Sequence, residues 1–296
     1  MRRFLVLVFP LLLVCGLAAG QTDKQTDKSM ELERMRIRAD GGNVQAQLQL
    51  GRAYFLGDGV PKDEAEGLRW FRKAAEKGEA QAERILGLAY EFGQAGLSQD
   101  DEKAVYWFRR AADHGDEQGQ AKLAEMYETG RGGLPKDGAE ALRLYRRLAN
   151  KGNAAAQNKI GDLYEFGRAD LPKDEVQALY WYRKAADQGN VPALANAARI
   201  CLTSQNPEVR NPMAGLNYAR QAVNTKKGDP ELLRTLAQAY YVEGQFEDAI
   251  QTLLEALNLA PAYRKAEYQQ ALQEYQRTWE RSKALDKRTL GPWQTK

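Results

Sequence analysis

A repeat dominates this chain and limits what it can fold into. Gly51, Gly87, Ala124, Gly161 and Ala198 follow one another at steps of 36, 37, 37 and 37 residues. Three other columns keep that step: Tyr54, Tyr90, Tyr127, Tyr164 and Cys201; Phe71, Phe108, Tyr145 and Tyr182; Gly78, Gly115, Gly152 and Gly189. A period of this length belongs to stacked supersecondary units, each too small to bury its apolar face except against its neighbours.

Within one period, Leu50, Gly51 and Tyr54 stand at helical spacing, the turn Gly57 to Asp63 follows, and a second helical stretch carries Trp70, Phe71, Ala74 and Ala75. Each unit therefore reads as a helical hairpin. Asp63, Asp100, Asp137 and Asp174 occupy the N-cap of the second helix, where a carboxylate accepts from free backbone amides. The glycine column at Gly78 occupies its C-terminal cap, where a left-handed residue is needed. Ala46, Ala82, Gly119, Ala156 and Ala193 are small, which lets helices approach closely, and the aromatic columns are expected to fill the space between neighbouring hairpins.

The helix Leu50-Gly51-x-x-Tyr54, the loop Gly57-Asp58-Gly59-Val60-Pro61-Lys62-Asp63 and the helix Trp70-Phe71-x-Lys73-Ala74-Ala75-x-x-Gly78 resemble the Sel-one-like branch of the tetratricopeptide repeats, over about residues 42–223. The resemblance implies an all-α fold, an α-solenoid of helix-turn-helix repeats winding as a right-handed superhelix. Two units depart from the pattern. Leu144 replaces the tryptophan found at Trp70, Trp107 and Trp181, and the fifth unit has no glycine loop between Gln205 and Pro212. Residues 229–261 resemble an ordinary tetratricopeptide repeat, with Leu233, Leu236, Ala237, Tyr240, Gly244, Ala249, Leu253, Ala256 and Pro261 at that family's spacing. The expected organisation is a signal peptide at 1–20, a polar tether at 21–30, a Sel-one-like solenoid at 31–228, the tetratricopeptide repeat at 229–261, and a basic capping helix and tail at 262–296. Leu32 to Gly42 matches the second half of a hairpin and is expected to cap the first complete unit.

The N-terminus has the anatomy of an export signal: Arg2 and Arg3, an apolar run from Phe4 to Leu17, then Ala18-Ala19-Gly20 as a cleavage site. This predicts an exported, periplasmic or extracellular protein of a bacterial envelope. Membrane attachment is expected only through lipid on Cys15, although Leu12-Leu13-Val14 lacks the small residue that should precede a lipidated cysteine. Loss of Arg2 and Arg3 lowers the net charge from +3 to +1, which leaves no electrostatic footprint for nucleic acid. Only Cys201 remains in the mature chain, so packing and not a disulfide must hold the fold.

The sequence supplies little for catalysis, and no catalytic residue, cofactor or metal is assigned. His114 is the one histidine, and it stands in the polar column just before the capping glycine, where a donor meets free helix carbonyls. One histidine and one mature cysteine exclude a His/Cys zinc cluster. Some relatives of this repeat family cleave lactams, but Ser29, Ser98, Ser204 and Ser282 are followed three residues later by Leu32, Asp101, Pro207 and Leu285, never by lysine. Gly130-Arg131-Gly132-Gly133 recurs as a hairpin loop and lacks the Gly-Lys-Ser/Thr of a phosphate cradle. Cys201 reads as a packed core residue, and Trp70, Trp107 and Trp181 read as packing residues and not as a sugar platform.

The chain is therefore expected to be a non-enzymatic scaffold that holds a protein or peptide. In tetratricopeptide-type solenoids the first helix of each hairpin lines the concave side. The positions one and four past the Gly/Ala column then face the guest. The candidate partner-binding residues are Arg52, Phe55, Glu91, Glu125, Glu128, Asp162, Glu165 and Tyr241; Leu88, Arg199, Leu202 and Gln238 occupy the same register. Five carboxylates in three consecutive units suit a basic extended segment, or serve only to keep the face solvated. Two other readings stay open: an envelope-anchored lipoprotein that assembles cell-surface polysaccharide or complexes, and a hydrolase of the lactam or cell-wall type.

Overall fold

A computed structural model of the protein describes residues 30–289, with side chains to residue 285. The expected signal peptide, Cys15, the tether up to Ser29 and residues 290–296 lie outside the described residues. Those described form fourteen α-helices and one short 3-10 turn, with no strand among them. They divide into two units, one ending at Lys136 and the other beginning at Asp137.

The first unit runs α1 (30–40), α2 (Val44–Leu56), α3 (Glu64–Glu76), α4 (Ala80–Phe92), α5 (Asp101–Asp113) and α6 (Glu117–Thr129). Local chemistry sets the boundaries. Asn43, Asp63, Asp100 and Asp116 each accept a backbone N–H from the first turn of the helix they precede. Gly42, Gly78 and Gly115 close the preceding helices at φ of +85°, +83° and +88°, where a side chain would be strained. The Gly/Ala column explains how the two helices of a hairpin meet. A Cβ at Gly51 would come within 2.7 Å of the Phe71 ring, and one at Gly87 within 2.5 Å of Phe108. The aromatic column is thus seated on a glycine of its own hairpin and belongs at the same time to the core shared with the next one, where Phe71 clusters with Ala82, Leu86 and Ala89 of α4. Each ring is at most 2 % exposed and contributes about 1.5–3 kcal/mol by burial.

Neighbouring hairpins are joined by a different device. Arg72 on α3 donates to the Tyr90 hydroxyl on α4 (2.9 Å), and Arg109 on α5 donates to Tyr127 on α6 (3.3 Å). The helix α1 docks as the expected half-hairpin: the buried Gln47 donates to the Ala39 carbonyl at 3.0 Å, and Lys77 donates to Gly42 at 2.6 Å.

The second unit contains α7 (Gly138–Asn150), α8 (Ala154–Phe166), α9 (Glu175–Ala186), α10 (Val191–Thr203), α11 (Pro212–Thr225), α12 (Pro230–Val242), α13 (Phe246–Leu259), the 3-10 turn Ala262–Arg264 and α14 (Lys265–Thr289). The same rules recur: Gly161 lies beneath Tyr182, and Arg146 donates to Tyr164 at 3.0 Å. The unit without a glycine loop still closes, because Asn211 caps α11 and Pro212 opens it. The helices α12 and α13 form the last hairpin, and α14 lies against it with Tyr268 and Tyr275 buried. The Tyr268 hydroxyl donates to Glu231 on α12 at 2.7 Å.

Candidate functional site

The first helix of each hairpin (α2, α4 and α6 in the first unit; α8, α10 and α12 in the second) carries the positions expected to meet a guest, and the two registers differ. One residue past the Gly/Ala column, Arg52 and Glu125 are exposed, and Leu88, Asp162, Arg199 and Gln238 are half-buried. Four residues past it, Phe55, Glu128 and Tyr241 are half-buried, but Glu91, Glu165 and Leu202 are only 5 %, 6 % and 2 % exposed. The second register turns toward the partner helix of its own hairpin. Phe55 packs on Phe71 with ring centroids 6.2 Å apart, and a Cβ on Gly215 would come within 2.8 Å of Leu202. At Glu91, Glu165 and Leu202 the expectation of a guest-facing side chain is therefore corrected.

Burial of a carboxylate demands partners, and both glutamates have them. In the first unit Glu91 sits 3.3 Å from Lys122 and 3.4 Å from Arg131. Arg131 belongs to the loop after α6 and also donates to both carboxylate oxygens of Asp101, at 2.8 and 3.0 Å. Gly132 beside it serves this contact, since a Cβ there would collide with the Asp101 carbonyl. Lys122 also pairs with Glu125 at 3.2 Å. Burial lowers the lysine's proton affinity, but Glu125 and Glu91 outweigh it and hold its pKa above the ordinary value. The acidic character read for this face is thus offset by cations outside the two predicted registers.

In the second unit Glu165 receives Arg199 at 2.6 and 2.7 Å, a bidentate pair. The Tyr182 hydroxyl lies 2.7 Å from Glu165 and 2.7 Å from Asp162. Asn196 donates to Asp162 at 3.2 Å. Burial pushes Glu165 up, but the hydrogen bonds from Arg199 and Tyr182 prevail and hold it below the usual glutamate value. Asp162 goes the other way: burial raises it, and the hydrogen bond with Tyr182 only moderates the rise. The structure therefore brings Asp162, Glu165 and Arg199 together. At the far end, Tyr241 stacks on Tyr275 of α14 at 4.1 Å and bonds Thr278 at 3.0 Å, so it packs the cap.

Two features escaped the sequence reading. Leu56, Phe92 and Phe166, each the last residue of a first helix and five past the Gly/Ala column, are 72 %, 59 % and 53 % exposed. They follow the residues at the first guest register by one helical turn, so Arg52/Leu56, Leu88/Phe92 and Asp162/Phe166 share a helix face. Leu56 and Arg52 also line a shallow pocket of about 400 Å³ with Leu32 and Met35 of α1. The second feature is the Arg–Tyr bond between hairpins. Its signal was present, since Arg36, Arg72, Arg109, Arg146, Arg183 and Arg220 keep the repeat step.

The chemically suggestive residues have packing partners. The His114 ring nitrogen Nδ1 lies 2.7 Å from Glu83, a fully buried carboxylate that also pairs with Arg110 at 2.9 Å. This differs from the helix-carbonyl contact expected for that histidine. The buried Ser204 hydroxyl bonds Glu175. Burial pushes the Cys201 thiol up to about 11, and the nearby positive charge of Arg183 only moderates the rise. Lys73 stands 3.7 Å over the ring of Trp70. Among the described residues no group of three or more His, Cys, Asp or Glu could hold a metal ion, and no helix is long and apolar enough to cross a membrane.

Comparison with known proteins agrees with this architecture. The Sel1 repeat model matches residues 44–79, 80–116, 118–153 and 154–190. A stretch of 46 residues is 41 % identical to the secretory immunoglobulin A-binding protein EsiB of Escherichia coli O6:H1, covering 16 % of this chain and 9 % of that protein. The structure superposes on c5321, a protective antigen present in uropathogenic Escherichia coli strains and displaying an SLR fold, with a TM-score of 0.67 and 30 % identity. That match covers 84 % of this chain and 58 % of c5321, so the chain spans little more than half of that protein. A Sel1 repeat protein from Oxalobacter formigenes gives a TM-score of 0.64 at 27 % identity, covering 74 % of this chain and 89 % of that one. Repeats of this class generally serve as protein-interaction scaffolds and are usually non-catalytic. With its period, its glycine-seated hairpins and these matches, the chain belongs to the Sel1-repeat family of α-solenoids.

Proposed function

We propose that this protein is an exported scaffold that holds an extended segment of another protein against the first helices of its hairpins. The observation that carries this reading is the exposure of Leu56, Phe92 and Phe166, large apolar side chains kept in water at one register of three hairpins, where burial would otherwise stabilise the fold. Beside them, Arg52 and Glu125 are exposed at the register one turn earlier. On the first unit such a guest inserts apolar side chains next to Leu56 and Phe92 and places a basic residue near Glu125; on the second unit the same registers offer Phe166 and Asp162. Export rests on the Arg2-Arg3 and Phe4-to-Leu17 leader, and the mass of the mature N-terminus distinguishes cleavage before Gln21 from lipid on Cys15.

The test is capture from bacterial envelope extract by the mature protein, followed by direct titration of the captured partner against wild type, a Leu56→Ser/Phe92→Ser variant and a Glu125→Lys variant. The apolar variant should weaken binding at least tenfold, and the charge variant should weaken it mainly at low salt. Equal affinity for wild type and the apolar variant would sink the assignment of this face.

A further inference from the structure

Tyr182 replaces the phenylalanine that fills the equivalent place at Phe71 and Phe108. It therefore adds one hydroxyl to the interior of a hairpin, between two carboxylates. The phenol has one proton to donate, yet its oxygen lies 2.7 Å from Asp162 Oδ1 and 2.7 Å from Glu165 Oε2. Two ionised carboxylates cannot both be satisfied by that proton, and the unsatisfied contact would be a repulsion between an anion and an oxygen lone pair. Glu165 is the anion, because both its oxygens accept from Arg199 at 2.6 and 2.7 Å. Asn196 donates to the same Asp162 oxygen at 3.2 Å, but the phenol can serve Asp162 and Glu165 together only if a proton carried by Asp162 lets the tyrosine donate onward to Glu165.

We propose that Asp162, Tyr182 and Glu165 form a proton-sharing switch at the guest face of α8. Asp162 is neutral while it donates to Tyr182, and loss of its proton on rising pH frees an anionic side chain toward the guest. The groups surrounding Asp162 fit this role. Its own helix presents Lys159 and Glu165, the following loop Arg168, α9 the hydroxyl of Tyr182, and α10 Arg199 and the amide of Asn196. Burial and the neighbouring Glu165 charge raise the pKa of Asp162 against the pull of the Tyr182 hydroxyl when the phenol is the donor, while Glu165 is held low. The coupling to a guest rests on the function proposed above: a basic guest segment should bind more tightly once Asp162 has ionised.

Two measurements separate the switch from that reading. The first is a pH titration of the carboxyl carbon resonances of the mature protein, with Asp162→Asn and Asp162→Ala as companions. Asp162 should titrate above the other aspartates, and Tyr182→Phe should shift that titration. Asp162→Asn, whose amide can still donate to the tyrosine oxygen, should keep the melting temperature that Asp162→Ala loses. An Asp162 resonance that titrates with the exposed aspartates, or equal destabilisation by Asn and Ala, overturns the switch. The second is the affinity for the captured partner on either side of that titration. It should rise about two- to fivefold in wild type, the scale of one half-exposed ion pair, and stay flat in Asp162→Asn. A normal proton titration with flat affinity in wild type overturns the coupling and the guest face at α8, while the shared proton stands.

Discussion

The α4–α5 and α8–α9 hairpins share a skeleton and differ in electrostatics. Both seat an aromatic ring on a glycine, Phe108 on Gly87 and Tyr182 on Gly161, and both bury a glutamate four residues further along the first helix. Glu91 is held by two cations at 3.3 and 3.4 Å, one of them a loop arginine already committed to Asp101. Glu165 has one bidentate arginine and a phenol, all within 2.7 Å. The repeat thus preserves the shape of the hairpin while leaving the counter-charge to be supplied from different places. Interior size and the need for charge compensation are conserved within this molecule; the compensating residue is not.

The strongest way to break this comparison is to remove the cations. Arg199→Ala leaves Glu165 buried with only the phenol for support and should cost about 2–3 kcal/mol, less than for a fully enclosed pair because the guanidinium is partly in water. Arg131→Ala leaves Lys122 beside Glu91 and should cost about 1 kcal/mol. Urea unfolding of the two variants measures the difference, and equal losses would show that the bidentate geometry adds nothing. A smaller effect is set by pH. The folded-state pKa of Glu165 is lowered, so its stabilisation is complete above the ordinary glutamate value of about 4.5 and is lost as pH falls through the folded value. The gap in melting temperature between wild type and Glu165→Gln should therefore narrow in acid. The gap contributed by Asp162, whose pKa is raised, should run in the opposite direction. The smallest effect tests what the hairpins have in common: Asp174→Ala removes the cap of α9 and should cost about 1 kcal/mol, as should Asp137→Ala at α7.

What the sequence disclosed follows from the range of each interaction. The caps at Asp63, Asp137 and Asp174 and the stops at Gly78 and Gly189 were legible because a cap acts on amides or carbonyls within a few residues. The seating of rings on glycines was half legible: the columns were evident, but which glycine lies beneath which ring required the geometry. Glu91 and Glu165 misled because periodicity locates a helix face without revealing what covers it. Their partners Arg131 and Arg199 lie 40 and 34 residues away. Leu202 misled for a related reason, since Gly215 on α11 leaves the space that draws it inward. Tyr241 was placed by family register, while its stacking partner Tyr275 belongs to the terminal helix, outside the repeat altogether.

The arginine–tyrosine bonds between hairpins have a mechanical consequence. Each joins a helix only to the next one along, so a pulling load passes from neighbour to neighbour like tension through rungs. At Arg183 the rung is rerouted: eighteen residues on the chain has Cys201, and the arginine bonds Tyr218 of α11 instead. The seam between α9 and α10 bears load through packing around the thiol, through Arg183 bonded to Tyr218 of α11, and through the Arg199–Glu165 clasp that reaches from α10 back to α8. Its strength therefore rests on bonds that skip a helix, where the α7–α8 and α11–α12 seams have a rung between neighbours.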